Sequence, residues 1–351
     1  MKMSKYQTPC RYDFVGSFLR PQEVKQAKAD YAEGKISEEE KDRIIDAAIT
    51  DVVKKQKELG YHVITDGEFR RTYWHLDFMW GFEGVGHEQT GGGVQFHEEL
   101  ASMEDTYLTG KVKAKPHPFV EYFKFLKQFE DENTVAKYTI PAPAQMFQQM
   151  IVPANYANTR KYYPTNEELI HDIGVAYQEV IRQFYDAGCR NLQFDDCTWG
   201  AVVGDAAKHR YKSLGIDIED VKADLLKINN LALEGKPDDM VITSHICRGN
   251  YHSTYASSGP YDSVADVLFG EENVSAYYLE FDDERSGGFA PLAKIGSGQK
   301  EGFESFFRAG YNRRIITEEQ TAQNSNRSNR IQVEFTSFVR CIIHSFKKWI
   351  K

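Results

Sequence analysis

The chain alternates helices with strands, and this alternation constrains its fold more than any other feature of the sequence. Ser37 with Glu40 three residues later has the spacing of a helix-capping box, and apolar residues then recur at helical spacing. The predicted helix ends at Gly60. Residues 61–64 are then typical of a strand, which runs into an acidic turn that contains Glu68.

The same unit returns three times further along the chain. Helices are predicted from Thr165 onward and over residues 221–233 and 263–269, and the strands after them end in Asp195-Asp196, in His245 and Cys247, and in Glu280. Strands that alternate with helices predict parallel βαβ units. Because chemistry-bearing residues end four separate strands, we predict an α/β fold, a (β/α)8 TIM-type barrel with its site on that face. A doubly wound open sheet is the alternative, but its glycine-rich phosphate turn after the first strand is missing.

Two regions depart from the repeat. Residues 81–115 are rich in glycine and lack helical periodicity, so we predict a hairpin insertion over the site, with arms at residues 94–97 and 106–112. The pattern is lost after about residue 300, and residues 301–351 carry nine Lys and Arg against five Asp and Glu. We therefore predict a catalytic barrel over residues 1–300 and an atypical C-terminal segment over 301–351, with incomplete last βα units.

Composition excludes several classes of protein. A net charge of −9 argues against a general nucleic-acid surface. The five cysteines are irregularly spaced and no apolar signal segment is present at the N-terminus, so a secreted disulfide scaffold is disfavoured. No apolar stretch reaches the roughly 20 residues of a membrane span. We expect a reduced, cytoplasmic protein with small-molecule substrates and neither nucleic acid nor membrane as a partner; its oligomeric state is not indicated.

His245 and Cys247 are two positions apart on a predicted strand, so their side chains point to the same side. Glu280 ends the next strand. An imidazole, a thiol and a carboxylate form a ligand set that suits zinc. The alternative interpretation is a core histidine, a buried small cysteine and an acid that caps a helix.

Two acidic pairs also follow strands, Asp66 with Glu68 and Asp195 with Asp196. Carboxylates that face a cleft require a cationic partner such as a substrate ammonium group, whereas carboxylates at helix starts act as caps. We expect one acid of each pair to cap and the other to bind.

Three weaker signals accompany these pairs. Residues 14–18 are typical of a strand that ends in Gly16-Ser17, whose N–H groups and hydroxyl could hold a carboxylate, although ordinary turns have the same composition. The bases and aromatics that follow Glu68, such as Trp74 and His75, could line a pocket for a flat heterocycle or pack at the barrel rim. Among the remaining cysteines, Cys10 and Cys189 are interpreted as structural, and Cys197 is left undecided.

Taken together, the motifs resemble the cobalamin-independent methionine synthase family, in particular short members that consist of the catalytic barrel alone. The resemblance rests on five segments in the family's order, namely residues 15–18, 66–70, 193–196, 244–247 and 280–286. It implies a Zn²⁺-dependent methyltransferase of methionine biosynthesis that moves a methyl group from a methylated folate, or a similar carrier, to the thiol of homocysteine. In the family's terms this is an activity like that of 5-methyltetrahydropteroyltriglutamate-homocysteine S-methyltransferase.

The resemblance also implies roles for individual residues. His245, Cys247 and Glu280 correspond to zinc ligands. Glu68 and Asp195 correspond to the catalytic carboxylates that hold the amino group of the amino acid. The dipeptide Gly16-Ser17 corresponds to the group that holds the substrate carboxylate.

The C-terminal segment departs from the family pattern. The family's fourth zinc ligand is a late cysteine that follows a Ser-Pro or Asn-Pro turn, and no such motif is present; Cys341 is at about the right distance without that turn. Either the ending is divergent and Cys341 still reaches the zinc, or the tail is out-of-frame sequence. We favour the second interpretation, because a barrel without its last strands has exposed sheet edges.

Two other functions remain open. A metal-dependent hydrolase on the same fold is disfavoured because such sites rarely use a thiolate such as Cys247. A non-catalytic homologue that binds zinc or an amino acid is a further alternative, which the unusual tail makes realistic.

Overall fold

The computed structural model of the chain describes residue 14 and residues 16–88, 93–95, 100–251, 254–280 and 286–295. The α-helices in these ranges are α1 (Gln22–Ala32), α2 (Glu38–Glu58), α3 (Leu76–Met79), α4 (Pro118–Lys127), α5 (Pro143–Ile151), α6 (Pro153–Tyr162), α7 (Asn166–Asp186), α8 (Gly204–Ser213), α9 (Ile218–Leu233) and α10 (Ala265–Glu271). Short 3-10 helices cover Trp199–Val202, Tyr261–Ser263 and Ala290–Lys294.

The strands in the described ranges are β1 (Val63–Ile64), β2 (Glu83–Glu88), β3 (Gly93–Gln95), β4 (Leu100–Ser102), β5 (Asp105–Lys113), β6 (Val135–Ala136), β7 (Tyr138–Pro141), β8 (Asn191–Asp196), β9 (Val241–Ile246), β10 (Asn250–Tyr251), β11 (Thr254–Tyr255) and β12 (Tyr277–Leu279). None of the helices in this part of the chain combines the length and the apolar composition that crossing a bilayer requires.

Parallel pairing joins the strands that the helices connect. Strand β1 pairs with β6, and β7, β8, β9 and β12 form one parallel sheet in chain order. Only Lys137 separates β6 from β7, and its N–H donates to the Ile64 carbonyl at 2.9 Å. Neighbouring parallel strands in chain order, joined by helices, confirm the α/β fold. This order is consistent with a TIM barrel, but the sheet is not closed within the described residues.

The helices begin where the capping signals predict. Ser37 precedes α2 and accepts the N–H of Glu40 at 3.2 Å, and Thr165 precedes α7 and accepts the N–H of Glu168 at 3.3 Å. Each accepted bond satisfies one of the N–H groups that a helix start leaves without an internal partner. The apolar faces of both helices are buried, as in Ile49, which is 0% exposed.

Three details of the sequence prediction are wrong. Residues 14 and 16–20 are not in a strand. In the glycine-rich insertion β5 pairs with β2, whereas Val94 and Gln95 of β3 pair with β4, so these two residues are not partners of residues 106–112; residues 96 and 97 lie outside the described residues. The sequence analysis also missed strand β7, which pairs in parallel with β8. The predicted domain division stays a prediction, because residues 301–351 lie outside the described residues.

Gly67, in the turn after β1, has no room for a larger side chain. Its φ is +63°, and a Cβ added there would lie 2.8 Å from Phe18 Cδ2. Gly60 has a φ of +82° with nothing within 4 Å, so it shares the backbone conformation but not the crowding. We expect Gly67→Ala to cost about 1–3 kcal/mol more in unfolding free energy than Gly60→Ala, because overpacking adds to the left-handed strain. Urea unfolding of both variants tests this, and equal losses would contradict it.

Candidate active site

His245 lies near the end of β9, directly opposite Asp195 on β8. Its Nδ1 atom is 3.2 Å from Asp195 Oδ1, which also accepts a hydrogen bond of 2.6 Å from Gln193 Nε2. Burial lowers the pKa of His245, but the hydrogen bond with Asp195 and the nearby Cys247 and Glu280 outweigh burial, so the pKa rises. The imidazole therefore faces acidic and sulfur-bearing groups, and it is not a plain core histidine.

Cys247 follows β9 and lies against a second cysteine. Its Sγ is 3.2 Å from Cys197 Sγ and accepts the Gly249 N–H at 3.3 Å. The contact with Cys197 lowers the pKa of Cys247, burial opposes this, and His245 and the Gly249 N–H lower the pKa further. A lowered thiol pKa favours the thiolate, which is the form that binds metals and acts as a nucleophile.

Glu280 lies at the end of the adjacent strand, β12, and is buried. Its N–H donates to the Ile246 carbonyl at 3.2 Å, which continues the pairing of β12 with β9 and brings Glu280 level with Cys247. Its Oε2 accepts the Arg248 N–H at 2.9 Å and the Asn250 amide at 3.0 Å. The loop after β9 thus orients the carboxylate, a role often played by neighbours of metal ligands.

The predicted ligands lie on adjacent strand ends, but they do not form an assembled metal site. In the described part of the chain, no three His, Cys, Asp or Glu side chains are grouped so that they could hold a metal ion. Cys341 lies outside the described residues, so its assignment as a ligand stays a prediction. The same is true of zinc ligation by His245, Cys247 and Glu280.

Glu68 forms the core of a buried polar cluster at the end of β1. Its Oε1 is 3.1 Å from Arg71 Nη1 and accepts the Thr139 hydroxyl at 2.8 Å, while its Oε2 is buried without a hydrogen-bond partner in the described structure. Burial raises the pKa of Glu68, the Arg71 charge opposes this rise, and Asp195 and Asp66 reinforce it. The Asp195 charge acts on Glu68, so the two carboxylates lie within electrostatic range of each other.

One member of each acidic pair makes structural hydrogen bonds with the turn that follows its strand. Asp196 accepts the Thr198 N–H at 2.9 Å and the Asn229 amide at 2.9 Å, so its carboxylate anchors a turn and a helix. Asp66 Oδ1 accepts the Glu68 N–H at 2.9 Å, which stabilises a turn in which Glu68 itself has a φ of 60°. Asp196 and Asp66 therefore have structural contacts. The binding roles of Asp195 and Glu68 remain predictions.

The buried carboxyl group of Glu272 makes the free energy of unfolding depend on pH. Asn229 Nδ2 donates to Glu272 Oε1 at 2.8 Å and also to Asp196. Burial and then the Asp196 charge raise the pKa of Glu272 to about 8, and hydrogen bonds from Asn229 and Tyr277 oppose this rise. The unfolded chain releases this proton near pH 4.5, whereas the folded chain keeps it to about pH 8. The contribution of this pKa difference to the free energy of unfolding is fully present below about pH 4.5 and is lost as the pH rises to about 8.

Glu272→Gln is therefore expected to flatten the decline of unfolding free energy between about pH 5 and pH 8, because an amide does not ionise. Urea titrations across this range measure the slope. The neighbouring exposed Glu271→Gln is the matched control and should retain the wild-type slope. A Glu272→Gln slope equal to that of the wild type would contradict the expectation.

The weaker sequence signals have mixed outcomes. Gly16 and Ser17 are exposed, and the Phe18 N–H donates to the Gly67 carbonyl at 3.1 Å, so this segment lies beside the Glu68 turn. Its role in carboxylate binding is not tested. His75 is 4% exposed and its ring stacks on the half-buried Trp74 at a centroid distance of 4.4 Å. Burial lowers the pKa of His75 to about 3, so it packs as a neutral ring.

Four residues near the site were missed or left without a role by the sequence analysis. Thr139 contacts Glu68, Gln193 contacts Asp195, Arg71 pairs with Glu68, and Cys197 contacts Cys247. Gln193 carries a detectable signal, because it precedes Asp195 by two positions and shares its side of the strand. Thr139 carries none, since nothing in its local sequence distinguishes it from any other strand threonine.

The fold and site define an α/β protein whose reactive side chains collect at the carboxyl ends of parallel strands. Residues 12–258 match the family profile described as the catalytic domain of cobalamin-independent synthase. The chain belongs to this family, which confirms the resemblance seen in its motifs.

Individual proteins with similar sequences or structures support this membership. The chain is 41% identical over 284 residues to the uncharacterized protein YxjH of Bacillus subtilis, with 81% of this chain and 74% of the relative covered. A solved chain from Listeria monocytogenes, provisionally described as a vitamin-B12-independent methionine synthase, is 36% identical with a TM-score of 0.64, and 83% of this chain and 78% of that chain are covered. A B12-independent methionine synthase from Shewanella sp. W3-18-1, solved with selenomethionine, is 18% identical with a TM-score of 0.50, covers 76% and 71% of the two chains, and supports the fold alone.

Proposed function

We propose that this protein is a zinc-dependent methyltransferase that transfers a methyl group from a methylated folate, or a similar carrier, to the thiol of homocysteine. The observation that carries the proposal is the contact of the Asp195 carboxylate with the His245 imidazole, with the Glu68 carboxyl group within electrostatic range of Asp195 and Cys247 within range of His245. Homocysteine has an ammonium group, which the two carboxylates would bind, and a sulfur, which would lie near Cys247 and His245.

The carboxylates provide the means to bind and orient the amino group. Glu68 Oε2 is buried without a hydrogen-bond partner among the described residues, and a buried carboxylate oxygen is costly unless a cation or donor reaches it. The substrate ammonium supplies that donor. Gln193 and Thr139 hold Asp195 and Glu68 in place, so the amino group is fixed relative to the sulfur. The exposed Gly16-Ser17 segment beside this turn is the proposed contact for the substrate carboxylate.

The chemical types of the predicted ligands suit zinc, although their side chains are not grouped as a metal site in the described structure. His245, Cys247 and Glu280 supply nitrogen, sulfur and oxygen from adjacent strand ends, and this combination favours zinc over magnesium or calcium, which prefer oxygen ligands alone. Bound zinc would keep the homocysteine sulfur deprotonated and nucleophilic near neutral pH, whereas a free thiol has a pKa near 8.5. Asn250 and the Arg248 N–H would hold the Glu280 carboxylate in its orientation.

The test combines metal analysis with a methyl-transfer assay on the full chain. Purified protein is analysed for zinc, then incubated with homocysteine and a 5-methyltetrahydrofolate polyglutamate, and methionine is measured. Zinc with turnover supports the proposal. Zinc without turnover with any methylated donor supports a non-catalytic homologue, and hydrolytic activity without methionine supports a metal-dependent hydrolase.

The role of the carboxylates has its own prediction. Asp195→Asn keeps the size of the side chain but removes its charge and replaces one acceptor oxygen with an NH2 donor, so we expect a KM for homocysteine at least about tenfold higher, since hydrogen bonds to charged groups contribute roughly 1.5–3 kcal/mol. Asp186→Asn, at the end of α7, is the control. An unchanged KM in Asp195→Asn would contradict the assigned role.

A further inference from the structure

Lys137 is a buried lysine that contacts two segments of the candidate site. It is 1% exposed and lies between β6 and β7. Its Nζ donates to Gln193 Oε1 at 3.0 Å and to the Phe14 carbonyl, and it lies 5.1 Å from the centre of the Tyr278 ring. A buried ammonium group is costly unless acceptors surround it, so these oxygens and the ring face hold the side chain in place.

The contact with Gln193 sets the direction of the Gln193 amide. A lysine ammonium group can only donate, so the amide oxygen faces Lys137 and the amide NH2 faces Asp195, to which it donates at 2.6 Å. An ionised carboxylate can only accept, so both neighbours of the amide require the same orientation. Lys137 thereby orients, through Gln193, the carboxylate that the proposed function assigns to the substrate ammonium group.

The contact with Phe14 anchors the segment that leads to Gly16-Ser17. Beyond this exposed dipeptide, the Phe18 N–H donates to the Gly67 carbonyl at 3.1 Å. The dipeptide therefore lies between two anchored residues. The ammonium group of Lys137 thus contacts the segment assigned to the substrate carboxylate as well as the amide beside the group assigned to the substrate amine.

We propose that Lys137 is a positioning residue for an α-amino acid substrate and holds in place the two groups that bind the ammonium and carboxylate ends of that substrate. The inference rests on the proposed function and deepens it, because it assigns recognition of both charged ends to one residue that acts through its neighbours. Without the lysine, the Gln193 amide loses the donor that orients it, and its oxygen can turn towards Asp195 and repel it. The preference for ligands that carry both charges should then fall.

Ligand discrimination tests the proposal without an activity measurement. Calorimetry on the whole chain compares methionine with its hydroxy analogue, in which a hydroxyl replaces the ammonium group, and with methioninol, which lacks the carboxylate. We expect Lys137→Met to reduce each preference for methionine at least about tenfold, since a hydrogen bond to a charged group contributes to affinity by roughly this factor. A general loss of stability would weaken all three ligands alike and leave the two ratios unchanged.

Two further variants make the test specific. Gln193→Met removes the amide but leaves the contact between Lys137 and Phe14, so it should lose the preference over the hydroxy analogue and keep the preference over methioninol. Lys222→Met is the matched control, because Lys222 is also buried and its Nζ donates to the Ser263 carbonyl at 2.7 Å, but it lies on α9. It should keep both wild-type preferences.

The outcomes separate this inference from the proposed function. If the wild type prefers methionine and Lys137→Met keeps both preferences, the inference is wrong while the amino-acid site stands. If the wild type shows no binding of methionine or no preference for it, the proposed function and the inference are both contradicted. Should Lys137→Met lack native far-ultraviolet circular dichroism, Gln193→Met decides, and an unchanged preference over the hydroxy analogue would overturn the inference.

Discussion

Cys247→Ser is expected to abolish methyl transfer to homocysteine and to weaken zinc binding by at least about 100-fold. Loss of a partner that only orients a metal ligand already costs about 10–100-fold in metal affinity or activity, so loss of a ligand should cost more. A serine hydroxyl is not deprotonated near neutral pH and is a harder ligand, so it does not replace a thiolate. Zinc stoichiometry and the initial rate of methionine formation measure both effects.

The fold should survive this substitution, because the contacts of the Cys247 side chain are local ones with Cys197 and the Gly249 N–H. Circular dichroism and urea unfolding should therefore resemble those of the wild type. Cys189→Ala is the control, with zinc content and rate retained. A Cys247→Ser protein with wild-type zinc content and rate would exclude the thiolate as a ligand.

Arg71→Met is expected to reduce the free energy of unfolding by about 3–5 kcal/mol, the typical cost of breaking a buried ion pair on one side. Arg71 is 1% exposed, pairs with Glu68, and lies over the Phe119 and Tyr138 rings at 4.8 and 5.3 Å. Methionine replaces much of the apolar stem but leaves the buried Glu68 carboxylate without its counter-charge. Urea unfolding at neutral pH measures the loss.

The double variant Glu68→Gln/Arg71→Met separates lost pairing from lost packing. Removal of both charges should restore part of the stability, since two residues in direct contact are energetically coupled. The control is Arg182→Met, whose partner Glu179 is on an exposed helix face, and its expected effect is within about 0.5 kcal/mol. A loss below about 1 kcal/mol in Arg71→Met would show that this pair is not a major stabilising contact.

The family and the strands that carry the site could be recognised from sequence because their signals are local. Capping residues such as Ser37 and Thr165 identify helix starts through bonds three residues away. The period-two alternation of a strand relates His245 to Cys247 without any knowledge of the rest of the fold. Because Asp195 and Glu280 each end a predicted parallel strand, the sequence also indicates that they lie at the same edge of the sheet.

Contacts between distant segments were decided by the tertiary structure alone. Thr139 meets Glu68 across 71 positions, and Cys197 meets Cys247 across 50. Such contacts depend on which strands are adjacent and in what register, and neither is encoded in any short window. The same reason explains the misplaced arms of the insertion, because β2 and β5 are held together by antiparallel pairing over a long separation.

The sequence by itself determined the alternation of helices and strands, the family, and the types of side chain available at the strand ends, since these depend on spacing and residue chemistry. Only the tertiary structure decided which acid of each pair is structural, that Arg71 neutralises Glu68, and that a second sulfur lies beside Cys247. These features arise from burial and from the register of parallel strands, which bring together side chains that are remote along the chain.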